Sequence, residues 1–188
     1  LLAAGLLERV RHDSGHETLR VTDAGVAALA ATLARNRARR GAHEALAERV
    51  AREMTRAGRI AWRGLSLRAH VVDAGDPSGA GRWVMAMPDV FSIRHTTVED
   101  WLEPAAHEIK VSRADLLSDL RRPRKREAYR MLSSQCWYVL KQGIADADEV
   151  PMEFGVMFAA ESGALEVARP ASKRAMRLPL ATWMALAR

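Results

Sequence analysis

The stretch Glu108-Ile109-Lys110-Val111-Ser112-Arg113-Ala114-Asp115, read with Pro88-Asp89 upstream, decides how this chain is understood. In a β-strand, side chains two apart share a face, so Glu108 and Lys110 look one way and Ile109 the other. Asp89 closes an apolar run nineteen positions earlier. Two carboxylates and an amine on one sheet face form a site for Mg²⁺ or Mn²⁺ beside a phosphodiester. The carboxylates offer the oxygen ligands that hard cations prefer. Such an ion polarises a phosphoryl oxygen and lowers the pKa of a bound water.

Outward from that core the pattern is α/β. Ala42 to Ala57 reads as a helix with Leu46, Val50 and Ala57 on one face. Its acids Glu44, Glu48 and Glu53 are alternative contributors to the site, and the spacing does not choose among them. Residues 59–75 alternate as a strand or strand pair, Asp76 to Gly81 is a loop, and Trp83 to Ile93 is a strand carrying Asp89. Ser112 is placed to cap the next helix with Asp115 at its third position, a variant capping box. Pro123 interrupts that helix, and a basic helix restarts through Lys125, Tyr129 and Leu132. Cys136 to Leu140 reads as a buried strand. Two further strands, at Glu149 to Phe158 and Ala164 to Val167, and a helix from Leu180 to Ala187 complete the pattern.

The first segment differs. Leu6 to Arg11 and Thr18 to Val21 read as two short strands around a turn-rich Asp13-Ser14-Gly15-His16. Thr22 then caps a helix to about Arg35 with Val26, Leu29 and Leu33 at helical spacing. The run Leu19-Arg20-Val21-Thr22-Asp23-Ala24-Gly25 resembles the wing exit of bacterial winged-helix domains, here without that fold's earlier helices. Arg35, Arg37, Arg39 and Arg40 make a basic connector ending at Gly41. The division expected is therefore 1–41 for a partial winged-helix element and connector, and 42–188 for the main domain. The start without Met leads us to expect that further residues precede Leu1.

The net charge is +6, with 29 Lys and Arg against 23 Asp and Glu, which favours a polyanionic partner. An Arg- and Ala-rich composition gives the same sign for no functional reason. One cysteine excludes an intramolecular disulfide framework, and no apolar run approaches the ~20 residues that cross a bilayer. Without a secretory signal pattern, a cytoplasmic location is expected. The six histidines show no metal-ligand spacing, Cys136 reads as core, and no Walker-type phosphate loop occurs. Of the five tryptophans, Trp62 and Trp101 are the candidates for stacking on bases; Trp83, Trp137 and Trp183 read as core.

The order helix, strand, strand with Asp, strand with Glu-x-Lys, helix, strand resembles the PD-(D/E)XK nuclease superfamily. A longer set of matches runs through Glu108 to Asp115, Leu120-Arg121, Arg124-Lys125-Arg126, Cys136 to Val139, Gly143-Ile144, Asp148 to Pro151 and Phe154-Gly155-Val156. Together these resemble the MmcB-type, DNA-repair-associated branch, over about Ala42 to Arg174. The resemblance implies a restriction-endonuclease-like mixed central sheet flanked by helices. It implies Asp89 and Glu108 as metal carboxylates, the Ile109 carbonyl as a third ligand and Lys110 as the catalytic lysine. Ser112 and Arg113 fall in the run beside the phosphate, while capping explains Ser112 and Asp115 equally well. Arg113, Lys125 and Arg126 are expected on backbone phosphates. The expectation is a Mg²⁺- or Mn²⁺-dependent nuclease acting on DNA; a non-catalytic DNA-binding or assembly module on the same fold is the alternative. A winged-helix regulator rests on the first 35 residues alone, and a homodimer or larger assembly stays open.

Overall fold

β7 (Ala105–Lys110) is buried along its whole length, and the main domain is built around it. The computed structural model describes residues 1–72 and 79–187. Asp76-Pro77-Ser78, the first half of the expected loop, lies outside the described residues. The chain divides into two units, Leu1–Ala42 and His43–Arg188.

In the first unit, β1 (Leu7–Arg11) and β2 (Glu17–Val21) form an antiparallel ribbon with Leu7 opposite Val21. Thr22 ends the ribbon and starts a helix: its Oγ1 accepts the Gly25 N–H at 3.1 Å and donates to the Gly5 carbonyl at 2.7 Å. Gly25 is required there, because a Cβ would stand 2.1 Å from the Leu6 carbonyl oxygen. Ribbon and helix alone do not make a winged helix. Val26, Leu29 and Leu33 are each more than half exposed, so the expected helical face is not a buried one.

The helix itself is longer than the sequence led us to expect. A single α1 (Asp23–Arg56) replaces two helices and a connector. Ala and Arg are strong helix formers, and one interior glycine, Gly41, costs only about 1 kcal/mol against Ala. The basic run is helical, not a linker.

The second unit contains a six-stranded mixed sheet in the order β10-β9-β8-β7-β6-β3. These are β3 (Arg59–Arg63), β6 (Val90–Arg94), β7, β8 (Gln135–Lys141), β9 (Gly155–Ala159) and β10 (Leu165–Arg169). β7, β8 and β9 run parallel; the outer pairs are antiparallel. Parallel neighbours need a crossover. Between β7 and β8 it is supplied by α2 (Arg113–Leu120) and α3 (Pro123–Leu132). Pro123 stands in the first turn of α3, where its missing N–H costs nothing.

Each sheet face is covered differently. On one, Leu46, Ala47 and Val50 of α1 pack with Val90, Ile109, Val139 and Met157. On the other, Phe91, Ala106, Tyr138 and Leu140 pack with Leu116, Ala128, Tyr129 and Leu132 of α2 and α3. A separate antiparallel pair, β4 (Leu67–Val71) and β5 (Arg82–Ala86), lies over α3 with Leu67, Ala69, Val71 and Ala86 inward. A short α4 (Leu180–Leu186) packs near β4.

The expected strand from Trp83 to Ile93 is thus two strands in different sheets. Proline has no N–H for a ladder and restricts the residue before it, so Pro88 breaks the run. Residues 149–154 also depart from expectation. Ala147–Glu149 is a 3-10 turn closed by a capping box between Asp146 and Glu149, and the strand starts only at Gly155. Among the described residues, no helix is long and apolar enough to cross a membrane.

Candidate active site

Val90 pairs with His107, so the chain step before Val90 brings Asp89 beside Glu108 and Ile109. There the ladder stops, and a side chain takes over. Asp89 Oδ2 accepts the Ile109 N–H at 2.7 Å, tying the aspartate to the residue between Glu108 and Lys110. The same oxygen lies 3.2 Å from His43 Nε2 on α1. That hydrogen bond is the main reason the His43 pKa is raised, with burial opposing it.

Strand alternation sets the rest. Glu108 and Lys110 face the α2–α3 side, opposite Ile109, which packs on α1. Both are buried, Glu108 at 4% and Lys110 at 8% exposure. Isolated charges that deep would be costly, so each is paired. Lys110 Nζ lies 2.5 Å from Glu108 Oε1. Lys125 Nζ, from α3, bonds the same oxygen and also Asp119 Oδ1, the latter at 2.6 Å. Lys110 Nζ stands 3.6 Å from that Asp119 oxygen. Two carboxylates and two ammoniums therefore make a compact, charge-balanced quartet.

Two tyrosines hold it. The Tyr129 hydroxyl lies 2.8 Å from Glu108 Oε2 and 2.9 Å from the Met87 carbonyl, sharing one proton between two acceptors. Tyr138 sits opposite Glu108 in the parallel register and donates to Asp119 Oδ2 at 2.7 Å. Burial, then the adjacent carboxylates, push both phenols well above their ordinary range, so they remain donors. Burial disfavours the charged forms of Asp119 and Lys125. Their partners more than reverse it: Lys110 and Lys125 hold the Asp119 pKa down, and Glu108 and Asp119 hold that of Lys125 up.

A cavity of about 280 Å³ opens over this group, lined by His43, Ile109, Lys110, Asp119, Arg122 and Lys125 among others. Of the residues expected on phosphates, only Lys125 reaches it as a functional group. Ser112 Oγ donates to Asp115 Oδ2 at 2.7 Å and caps α2. Arg113 forms a bidentate pair with Glu149 at 2.9 and 2.7 Å. Arg126 donates to the Asp119 and Leu120 carbonyls at the end of α2. None of the three proposed helix acids takes part: Glu44 and Glu48 are exposed, and Glu53 pairs with Arg56 at 2.5 Å. His43 occupies that position instead.

Neither His43 nor Asp119 is among the site residues that the sequence pattern singles out. Asp119 carried a usable signal, since it follows Leu116 by three positions on the buried face of α2, where an acid requires a partner. His43 had no signal in local spacing.

Whether these residues suit a divalent ion follows from the donors. Among the described residues, no group of three or more His, Cys, Asp or Glu gathers for a metal. Mg²⁺ commonly uses only one or two carboxylates and completes its shell with water and substrate phosphate. Asp89 and Glu108 are the carboxylates at hand, but both Glu108 oxygens and Asp89 Oδ2 are bonded to protein donors, and neither residue lines the cavity. Among the described residues no preformed divalent site is present, and an ion bound at Glu108 would have to displace Lys110 or Lys125 from it.

No protein-family model and no curated protein matches the chain. Among solved structures it is similar to SPO1766, a protein of unknown function from Silicibacter pomeroyi, with 19% identity and a TM-score of 0.49 over 73% of this chain and 76% of that one.

Proposed function

We propose that this protein is a metal-dependent nuclease that hydrolyses DNA phosphodiesters at the cavity beside β7. The observation that carries the reading is the 2.7 Å bond from the Ile109 N–H to Asp89, which draws a distant aspartate to the Glu108–Lys110 pair. Asp89 and Glu108 would hold Mg²⁺ or Mn²⁺, with the Ile109 carbonyl as a third ligand. Such an ion supplies Lewis acidity and a more acidic water. Lys110 and Lys125 bring two ammoniums to the cavity wall, where they attract a phosphate and offset charge that develops on it. Tyr129 and Tyr138 fix the carboxylates so that little reorganisation is needed. His43 orients Asp89.

The test is Mg²⁺-dependent cleavage of single- and double-stranded DNA by the wild type and by Asp89→Ala and Lys110→Ala. Losses of at least about 100-fold in both, with folding intact, support the reading. Wild-type rates in both variants overturn it.

One observation favours a second reading, a DNA-binding module that performs no cleavage. Lys110, Lys125 and Tyr129 already occupy the oxygens of Glu108. Calorimetric titration with Mn²⁺ in the presence of a DNA strand separates the two. No metal uptake by folded, DNA-bound protein selects the module.

A further inference from the structure

Trp83 is 64% exposed, on the outer face of the β4–β5 pair, contrary to its reading as a core residue. An indole in that position leaves a large apolar surface in water, and the residues around it say what would cover it.

Side chains two apart along a strand share a face, so Met85 lies beside Trp83, more than half exposed as well. Across the pair, His70 stands opposite Trp83 and Arg68 opposite Met85. The His70 and Trp83 rings meet edge to face with centroids 5.4 Å apart, which holds the indole in place. The outer face therefore presents two rungs, each with one apolar and one basic or imidazole member.

Met85 joins this face to a cavity that shares two lining residues with the active-site cavity. This second cavity, of about 450 Å³, is lined by Val84, Met85, Arg121, Arg122 and Lys125 among others. Arg122 and Lys125 line the first cavity too. Arg121 and Arg122 are exposed. Lys110, Lys125 and Arg122 thus lead as far as Met85, and Trp83 lies two residues from Met85 on the same strand face. Beyond Met85 the same segment continues through Met87 and Pro88 to Asp89.

Apolar surface extends from Met85 toward Ala181 and Met184 of α4, which share a cavity of about 460 Å³ with it and Arg68, and Arg68, Arg121 and Arg122 set positive charge beside that surface. Here flat apolar surface alternates with positive charge, the combination that follows a strand of stacked bases on a phosphate backbone. In a duplex the base faces are hidden against one another. Only an unpaired strand can offer them to an indole.

We infer that the β4–β5 face is a stacking platform for single-stranded DNA, with Trp83 as its main contact and Arg122 carrying the backbone toward the Lys110–Lys125 cavity. The inference rests on the nuclease reading for what happens in that cavity, but the binding does not require cleavage.

The experiment is therefore done in chelator, where hydrolysis plays no part. Binding of fluorescein-labelled oligothymidylate and of a blunt duplex of equal length is followed by anisotropy for wild type, Trp83→Ala, Trp83→Phe and Arg122→Ala. The wild type is expected to prefer the single strand. Trp83→Ala should weaken that binding about tenfold or more, and Trp83→Phe should largely restore it. Unlabelled oligothymidylate should quench tryptophan emission in wild type and not in Trp83→Phe. Arg122→Ala should weaken binding and reduce its salt dependence.

Equal affinity in wild type and Trp83→Ala overturns the platform, as does duplex bound as tightly as the single strand. So does an absence of binding by the wild type. Trp83-dependent binding with no cleavage in Mg²⁺ would retain the platform and remove the nuclease reading, so the two can fail separately.

Discussion

The Tyr138 hydroxyl donates to Asp119 Oδ2 at 2.7 Å, while Lys125 bonds the other oxygen of the same carboxylate at 2.6 Å. Asp119 is thus satisfied from a strand on one side and a helix on the other. Replacing it with Ala leaves Lys110 and Lys125 sharing only Glu108. Asp119→Ala is expected to lower stability by about 3 kcal/mol, the usual cost of unpairing a buried charge. Tyr138→Phe should cost about 1–2 kcal/mol, because one buried carboxylate oxygen loses its donor. Urea unfolding measures both, and a change under about 0.5 kcal/mol in each would show that the quartet contributes little.

Lys125 competes for Glu108 Oε1 with any ion that binds there. Lys125→Gln removes one ammonium and should raise Mn²⁺ affinity at least tenfold, since a unit charge a few ångströms away is worth several kcal/mol at an effective dielectric near 20. Isothermal titration calorimetry reads this directly. The same variant should bind oligothymidylate less well, because it loses a phosphate-attracting group.

His107 faces away from Glu108 and is fully buried; burial first, then Arg59, pulls its pKa from 6.5 down to about 4. The unfolded chain therefore takes up a proton that the native protein refuses. On this account stability is complete above about pH 6.5 and declines as pH falls toward 4, by roughly 3 kcal/mol in total. His107 Nδ1 also has no hydrogen-bond partner. His107→Leu should flatten the decline between about pH 7 and about pH 5, measured as the difference between variant and wild-type unfolding curves.

Gly25 stands where the helix meets the ribbon, and a Cβ there would stand 2.1 Å from a backbone oxygen. Gly25→Ala should open the junction between β1, β2 and the start of α1. The expected readout is faster proteolysis of the first unit with unchanged unfolding of the second.

The nearest-neighbour chemistry of the chain carried a good deal of this architecture. Alternation placed Glu108 and Lys110 opposite Ile109, and Ser112 capped α2 with Asp115 as its spacing required. What stayed hidden depended on longer-range geometry. Nothing local announces that Tyr138 lies opposite Glu108, because parallel register is set by the crossover and not by either strand. The three α1 acids illustrate the opposite error. Helical spacing put only Glu53 within the apolar stripe and left the choice among the three open, while it is His43 Nε2 that lies 3.2 Å from Asp89. Trp83 was misplaced because a run of apolar letters reads as one buried strand until Pro88 divides it, turning the first part into a pair with a free outer face.

Parallel pairing of β7 with β8 has a kinetic consequence. The strands are joined through α2 and α3, so the loop must close before either can reward it, and non-local closure of this kind is slow. During synthesis Glu108 and Lys110 emerge well before Tyr138, and Asp119 waits for its second anchor until β8 docks. The charged cluster around Glu108 is then a late product of folding, and a nascent chain halted before β8 carries its acids and lysines in no defined arrangement.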